Sequence, residues 1–418
     1  MKEKSLLIVG AGAAGLMAAK QLSLFFNVTI LEAENRLGGR MHSISKQDEV
    51  IEAGAEFVHG NLPITKQLLN DAHIQFIKTT GENYRKKEGI FNIDGERAEG
   101  WEEMLQKMKV VTTDVTLEVF LQIHYADEKY AALKKQVIAY AEGFDLADCK
   151  LASVCSLYVE WSAEDEESYR IPSGYKALVD YISQQAIGDE CKILLNKTVE
   201  RINWNQDNVI AYTTNNEVYR ANKILITTPL NLLFQNGQRS FLQFDPPINA
   251  YAKAAQNIGF GAVIKVVLKF NKTFWKPDAQ FFFSDEKFFP TWWTQLPNSA
   301  PILTGWMGGP TAAMLAEESN DKLLQKALAS LASIFDIAED KLIATLQYGE
   351  IFNWQANTIS PGGYSYDMVN SAEAKTTLST PLFNTIFFAG EALYQGSHPG
   401  TVEAALASGQ HVATQIKG

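Results

Sequence analysis

The chain opens on an apolar run over residues 6–9 that stops at Gly10. Residues 13–24 then have helical composition, and residues 28–31 form a second apolar run. Short apolar runs bounded by glycine read as buried strands, so the pattern predicts strand, turn, helix, strand. That is the opening of a doubly wound α/β fold. Residues 64–186 are predicted mostly helical, with few strong β runs. Residues 192–228 turn β-rich, with hairpin turns expected at Asn205-Gln206-Asp207-Asn208 and at Asn215-Asn216. A buried strand is expected over 223–228, ending at Pro229. Residues 261–270 alternate and predict another strand, and 323–335 predict an amphipathic helix. Residues 385–389 read as a buried strand. A closing helix is expected from about Gly400 to Ile416, with Val402, Ala405, Leu406, Gly409, Ala413 and Ile416 on its buried face.

Composition narrows this picture. The 418 residues allow two or three domains, and 46% hydrophobic with 20% charged residues is a globular balance. A net charge of −11 argues against nucleic-acid binding. Cys149, Cys155 and Cys191 are the only cysteines and form no C-x-x-C pair, so no metal site is expected. No apolar stretch approaches the length of a membrane span, and the first residues do not read as a signal peptide. A cytoplasmic protein is the expectation. The acidic run Glu164-Asp165-Glu166-Glu167 reads as a solvated loop.

Gly10-x-Gly12-x-Ala14-Gly15 sits between the first strand and the first helix. The first glycine permits the tight turn, the second lets a pyrophosphate approach the backbone, and the third lets helix and strand pack closely. Glu32 ends the second strand, 22 residues after Gly10, where an acid can accept from ribose hydroxyls. Directly after it, Arg36, Gly38, Gly39 and Arg40 place paired glycines between guanidinium groups, a pattern suited to a phosphate-bearing cofactor.

With these residues the sequence resembles the flavin amine oxidase superfamily, which includes monoamine oxidases, polyamine oxidases, flavin histone demethylases and L-amino-acid oxidases. The resemblance continues through residues 51–60, which contain Gly54, Ala55, Glu56 and His59, and through the segment around Val199. It resumes at residues 261–265, Trp354, 361–364, 388–391 and 400–405, in the family's order. Three departures stand out. Gly363 occupies the position at which monoamine oxidases attach FAD through a cysteine. Tyr364 matches the first tyrosine of their substrate cage, but Thr401 replaces the second. The membrane-anchoring tail of monoamine oxidase is not matched.

The resemblance implies a Rossmann-type, glutathione-reductase-like FAD-binding domain interleaved with an α+β substrate domain. The expected division is 1–75, 188–248 and 345–418 for FAD, and 76–187 and 249–344 for substrate. It implies noncovalent FAD held by Gly10, Gly12, Ala14, Gly15, Glu32, Arg36, Gly38, Gly39, Arg40, Gly54, Ala55, Glu56, Val199, Thr228, Trp354, Gly390, Glu391, Thr401 and Val402. Val199 would meet adenine through its backbone, and Glu391 would accept from ribityl hydroxyls. The closing helix would point its first amides at the flavin. Lys265, alone in an apolar strand, would hold a water beside the flavin, because a buried lysine is costly unless solvated or paired. Tyr364, Thr401 and His59 complete the implied catalytic set. His59 reads equally well as a structural histidine, and Trp292, Trp293 and Trp306 as core or cavity wall. The implied reaction is amine plus O2 plus water to aldehyde, amine or ammonia, and H2O2. The expected partners are a small-molecule amine and O2, with no nucleic acid and no membrane, in a monomer or homodimer. Diamines or polyamines are favoured, with Glu56 and the 164–167 run attracting a distal ammonium. An L-amino-acid oxidase, with Arg170 as carboxylate clamp, a C–C desaturase and a noncatalytic FAD-stabilised scaffold remain as alternatives.

Overall fold

A computed structural model describes residues 4–87, 89–93, 97–163, 167–188, 191–234 and 241–418. At its centre is a five-stranded parallel sheet. Its order is Lys192–Leu194, Asn27–Leu31, Ser5–Val9, Lys223–Ile226, Ile386–Phe388. The two apolar runs at the N-terminus therefore lie side by side, with Leu6 opposite Val28 and Val9 opposite Leu31. Parallel strands buried on both faces need continuous apolar sequence, and 223–226 is buried throughout, its lysine included. The Lys223 ammonium reaches the Asn384 carbonyl and side-chain oxygens at 2.8 and 2.7 Å.

One face of this sheet carries helix Ala13–Leu22, packed between Tyr175–Gly188 and the closing helix Val402–Lys417. Of the six residues expected on the closing helix's buried face, Leu406, Gly409, Ala413 and Ile416 are buried; Val402 and Ala405 are half-buried. Gly409 is where the two helices touch: a Cβ there would lie 2.5 Å from the Ala14 carbonyl. The other face is covered by a second apolar cluster. It draws Ile202, Val209 and Ala211 from the antiparallel strands Val199–Asn205 and Asn208–Thr213. The expected hairpin turns fall where these strands reverse.

A seven-stranded sheet builds the second half of the molecule. Its order is Leu346–Asn353, Val263–Phe270, Ile302–Gly308, Thr291–Trp293, Ala279–Phe283, Glu82–Lys87, Ile90–Ile93. Side chains alternate across a strand. Ile264, Val266, Leu268 and Phe270 pack against helix Asn320–Phe335 through Leu323, Ala327, Leu331 and Ile334. Lys265 lies on the opposite face, in register with Trp306. As expected, 64–186 is mostly helical, with four short strands among the helices: Ile77–Lys78, Glu82–Lys87, Ile90–Ile93 and Ser168–Arg170. Of these, Glu82–Lys87 is too polar to signal a strand by its own pattern. Glu82–Lys87 is a strand because it pairs with Ala279–Phe283, Asn83 opposite Phe281.

Replacing Gly409 by valine should force the Ala13–Leu22 and Val402–Lys417 helices apart. We expect a loss of about 1–3 kcal/mol, the usual cost of overpacking a closed contact. Urea unfolding followed by circular dichroism measures it, and an unchanged midpoint would show that the contact yields freely.

Candidate active site

One continuous cavity of about 2860 Å³ joins the two halves. It runs from the glycine turn at Gly10 and Gly12, past Glu32, Gly39, Arg40, Val199 and Thr228, to Lys265, Trp354, Tyr364 and Glu391. It therefore brings together most of the residues expected to hold cofactor and substrate.

At the nucleotide end, Gly10 has φ +106°, a conformation in which side chains are strained. A Cβ on Gly15 would fall 2.1 Å from the Gly10 carbonyl, so helix and turn touch there. Helix Ala13–Leu22 has no side-chain cap at Gly12, and space at Gly12 is open. Uncapped amides at a helix start suit a phosphate. Glu32 is buried. Its carboxylate accepts from the Ala11 and Glu34 amides at 2.6 and 2.8 Å. Burial outweighs these bonds and raises its pKa above the ordinary value. Thr228 Oγ1 is buried without a protein partner, whereas Thr227 Oγ1 donates to the Val9 or Gly10 carbonyl. An orphaned hydroxyl beside an open glycine turn fits a polar nucleotide.

Arg36 does not face this cavity. Its guanidinium pairs with Glu34 at 2.5 Å and donates to the Gly39 carbonyl at 2.8 Å, so it braces the paired-glycine turn. Arg40 does reach the cavity. It binds the Gly363 carbonyl and pairs with Glu391 at 2.9 Å. Glu391 also accepts from Ser365 Oγ at 2.6 Å, so protein donors already hold the carboxylate expected at the ribityl chain. Gly390, at φ +159°, has open space where a Cβ would lie. Thr401 Oγ1 accepts from the Ala404 amide and donates to the His398 carbonyl, which makes it the cap of the closing helix. Its hydroxyl is thus engaged, and its contribution to the wall is its small size.

The far end is aromatic. Phe57 and Trp293 have ring centroids 5.8 Å apart, Trp293 and Trp306 5.9 Å, and His59 and Phe144 5.9 Å. Tyr364 donates to the Phe144 carbonyl, and its ring lies against Gly400. Burial and then Asp145, Glu160 and Glu391 raise its pKa well above the ordinary tyrosine value. Trp292 and Trp293 point to opposite faces. Trp292 is core and donates to Ser330 Oγ, while Trp293 and Trp306 line the cavity. His59 is exposed to the cavity, with its ring against Phe57 and Phe144. Desolvation and then Arg170 push its pKa down to about 4, against the opposing pull of Glu56. It is therefore neutral at ordinary pH.

Lys265 is 1% exposed. Its ammonium pairs with Glu56 at 2.6 Å and donates to the Gly54 carbonyl at 3.2 Å. The other Glu56 oxygen accepts from Arg170 at 2.5 Å and Trp293 Nε1 at 2.9 Å. This corrects the expected role of Glu56: a carboxylate bound to two cations does not recruit a third. Of the acidic run, 164–166 lie outside the described residues, and Glu167 pairs with Lys78. Carboxylates that line the cavity include Glu142, Asp145 and Glu160, besides Glu102, Asp285 and Glu286; sequence reasoning missed them because no motif marks them.

The profile of flavin containing amine oxidoreductases matches residues 13–417. The chain belongs to this family. Lysine-specific histone demethylase 1B of Mus musculus is 27% identical over 99% of this chain, which spans about half (53%) of that relative's length. Polyamine oxidase 2 of Arabidopsis thaliana is 24% identical, with 100% of this chain and 88% of the relative covered. A solved putrescine oxidase, wild type bound to putrescine, shares the fold with a TM-score of 0.82 at 18% identity, over 99% of both chains. FAD is the cofactor, and Gly363 offers no thiol to bond it. A Cβ at Gly363 would meet Leu146 Cδ1 at 2.6 Å.

Acid denaturation and ultrafiltration should release all yellow colour into the filtrate; colour retained with polypeptide would contradict noncovalent binding. Glu32→Ala removes a charged acceptor and should weaken FAD binding by about 1.5–3 kcal/mol in a fluorescence titration of apoprotein, Glu32→Gln by less. His59→Asn should leave the pH dependence of turnover unchanged between pH 6 and 9, since a histidine held near 4 does not titrate there. A lost limb in that range would show that His59 ionises.

Proposed function

We propose that the protein is an FAD-dependent oxidase of amines that lack an α-carboxylate, with diamines or polyamines as its substrates. The reaction is R–CH2–NH2 + O2 + H2O to R–CHO + NH3 + H2O2, or, for a secondary amine, R–CH2–NH–R′ + O2 + H2O to R–CHO + R′–NH2 + H2O2. The carrying observation is the single cavity that links a dinucleotide turn to an aromatic chamber containing a buried lysine. FAD, when bound, supplies the hydride acceptor. The protein's part is orientation. Tyr364, Trp293, Trp306 and Phe57 provide apolar walls that favour the neutral form of the reacting nitrogen. Thr401, small and engaged as a helix cap, leaves room for a longer chain. Neutral His59 adds a polar edge without a charge.

Two observations support the substrate class. Arg170 is the candidate that an amino-acid oxidase would need, and it is not available. It pairs with Glu56, donates to the Thr294 carbonyl at 2.7 Å and lies over the Phe57 ring at 4.4 Å. Conversely, Glu142, Asp145 and Glu160 line the chamber, and the last two act electrostatically on Tyr364. A second ammonium is favoured on that side. The reading carries forward the domain division proposed from sequence, although Leu346–Asn353, within 345–418, pairs in the seven-stranded sheet. All five strands of the parallel sheet come from 1–75, 188–248 and 345–418.

Peroxide release from putrescine, spermidine, benzylamine, a dimethyl-lysine peptide and L-leucine tests this. Putrescine or spermidine should lead, with kcat/KM rising toward the free amine's pKa of about 10. Peroxide from L-leucine alone, or from the peptide alone, would overturn the substrate class.

A further inference from the structure

Four elements converge on the Glu56 carboxylate. Glu56 immediately precedes strand Phe57–His59, Arg170 ends strand Ser168–Arg170, Trp293 ends strand Thr291–Trp293, and Lys265 lies within Val263–Phe270. Phe57 and Arg170 are register partners, so the backbone itself carries Arg170 to the carboxylate. All three donors are directed: Lys265 Nζ at 2.6 Å on one oxygen, Arg170 Nη1 at 2.5 Å and Trp293 Nε1 at 2.9 Å on the other. The Lys265 ammonium also lies 5.5 Å from the Trp293 ring centroid. A buried ion pair contributes little to stability against an apolar replacement, so this three-cornered arrangement calls for another reason.

We infer that Glu56 is the positioning residue for Lys265: its carboxylate, gripped from the far side by Arg170 and Trp293, keeps the Lys265 side chain charged and aimed along the cavity wall. This rests on the amine-oxidase reading above. Other charged groups near the cluster do not replace Glu56. Glu52 is tied to Ser43 Oγ and the Tyr175 amide, and burial raises its pKa to about 7. His59 is neutral, and Arg170 is itself cationic. Burial alone would raise the Glu56 pKa, but Lys265 and Arg170, with hydrogen bonds from Lys265 and Trp293, bring it down to about 2. It therefore stays ionised at every pH at which the protein would be assayed.

Charge arithmetic makes the inference testable without any amine. Lys265, Glu56 and Arg170 together carry +1. In Glu56→Gln the ammonium loses its paired carboxylate and keeps Arg170 as a like charge, with Glu52 acting only without direct contact, so it releases its proton more readily and the cluster approaches +1 at high pH. As pH falls the lysine is protonated again and the cluster becomes +2. A positive charge near a bound flavin favours its anionic reduced form. The reduction potential of photoreduced holoprotein should therefore coincide with wild type near pH 9.5 and climb above it toward pH 6. In the Lys265→Met background, Glu56→Gln should give an offset independent of pH. Glu56→Asp, which keeps the charge, should track wild type. A constant offset for Glu56→Gln from pH 6 to 9.5, or none, overturns the inference, as does a Glu56→Asp curve that diverges as far as Glu56→Gln. Should Glu56→Gln retain no FAD, Trp293→Phe removes only the N–H that grips the carboxylate. It should diverge in the same direction by less, and coincidence with wild type refutes the inference. Wild-type protein that releases no peroxide from any amine, while these curves diverge as described, would refute the amine-oxidase reading and uphold the Glu56–Lys265 linkage.

Discussion

A lysine ammonium within an apolar sheet must find a counter-charge, or it loses its proton or the strand does not form. Lys265 meets this constraint through Glu56, which lies 209 residues earlier in the chain. That single pairing fixes how the two halves of the molecule meet. Gly54, two residues before Glu56, gives its carbonyl to the same ammonium, and a Cβ at Gly54 would collide with the Arg40 carbonyl at 1.9 Å. Arg40 in turn pairs with Glu391, at the end of the parallel sheet. The substrate end and the nucleotide end are thus linked through one short chain of charged contacts.

These contacts divide the charged residues of the cavity into two kinds. Glu56, Arg170, Lys265, Arg40 and Glu391 are paired with one another, and their directions are set by packed strands. Glu142, Asp145 and Glu160 come from helices and a connecting turn at the chamber's rim. Groups of the first kind hold geometry, because moving one leaves another buried and unpaired. Groups of the second kind are also engaged, Asp145 accepting from Trp161 Nε1 at 2.8 Å, but they are not tied to the Lys265 cluster. The distinction explains why net charge is a poor guide to substrate attraction here. Glu56, a buried acid beside the chamber, is held by two cations and so is poorly able to attract a third.

The parallel sheet was legible in sequence because burial on both faces demands unbroken apolar runs, as in 6–9, 28–31 and 223–226. The glycine turn and Glu32 were legible because their spacing serves a geometry that few other sequences satisfy. Glu82–Lys87 was not legible. Its residues are polar, and its β structure comes from pairing, with Ile90–Ile93 beside it and with a strand some 200 residues later. The same holds for Arg170, whose role depends on register with Phe57. Arg36 shows what residue type leaves out: Glu34, two residues away, pairs with it. Local sequence shows which groups a site contains. It does not show which of them neutralise each other.

This limit bears directly on the choice among amines. An arginine near an aromatic chamber ordinarily raises the prospect of a carboxylate substrate. Here the guanidinium has a carboxylate on one side, a carbonyl on another and an aromatic face against its plane. Releasing it for a substrate would leave Glu56 with Lys265 and Trp293 alone and would remove the contact that orients the carboxylate. Clamping an amino acid would thus disturb the very pair that positions Lys265. On the proposed function, selectivity against α-carboxylates would follow from the internal wiring of the site, with no residue required to repel them.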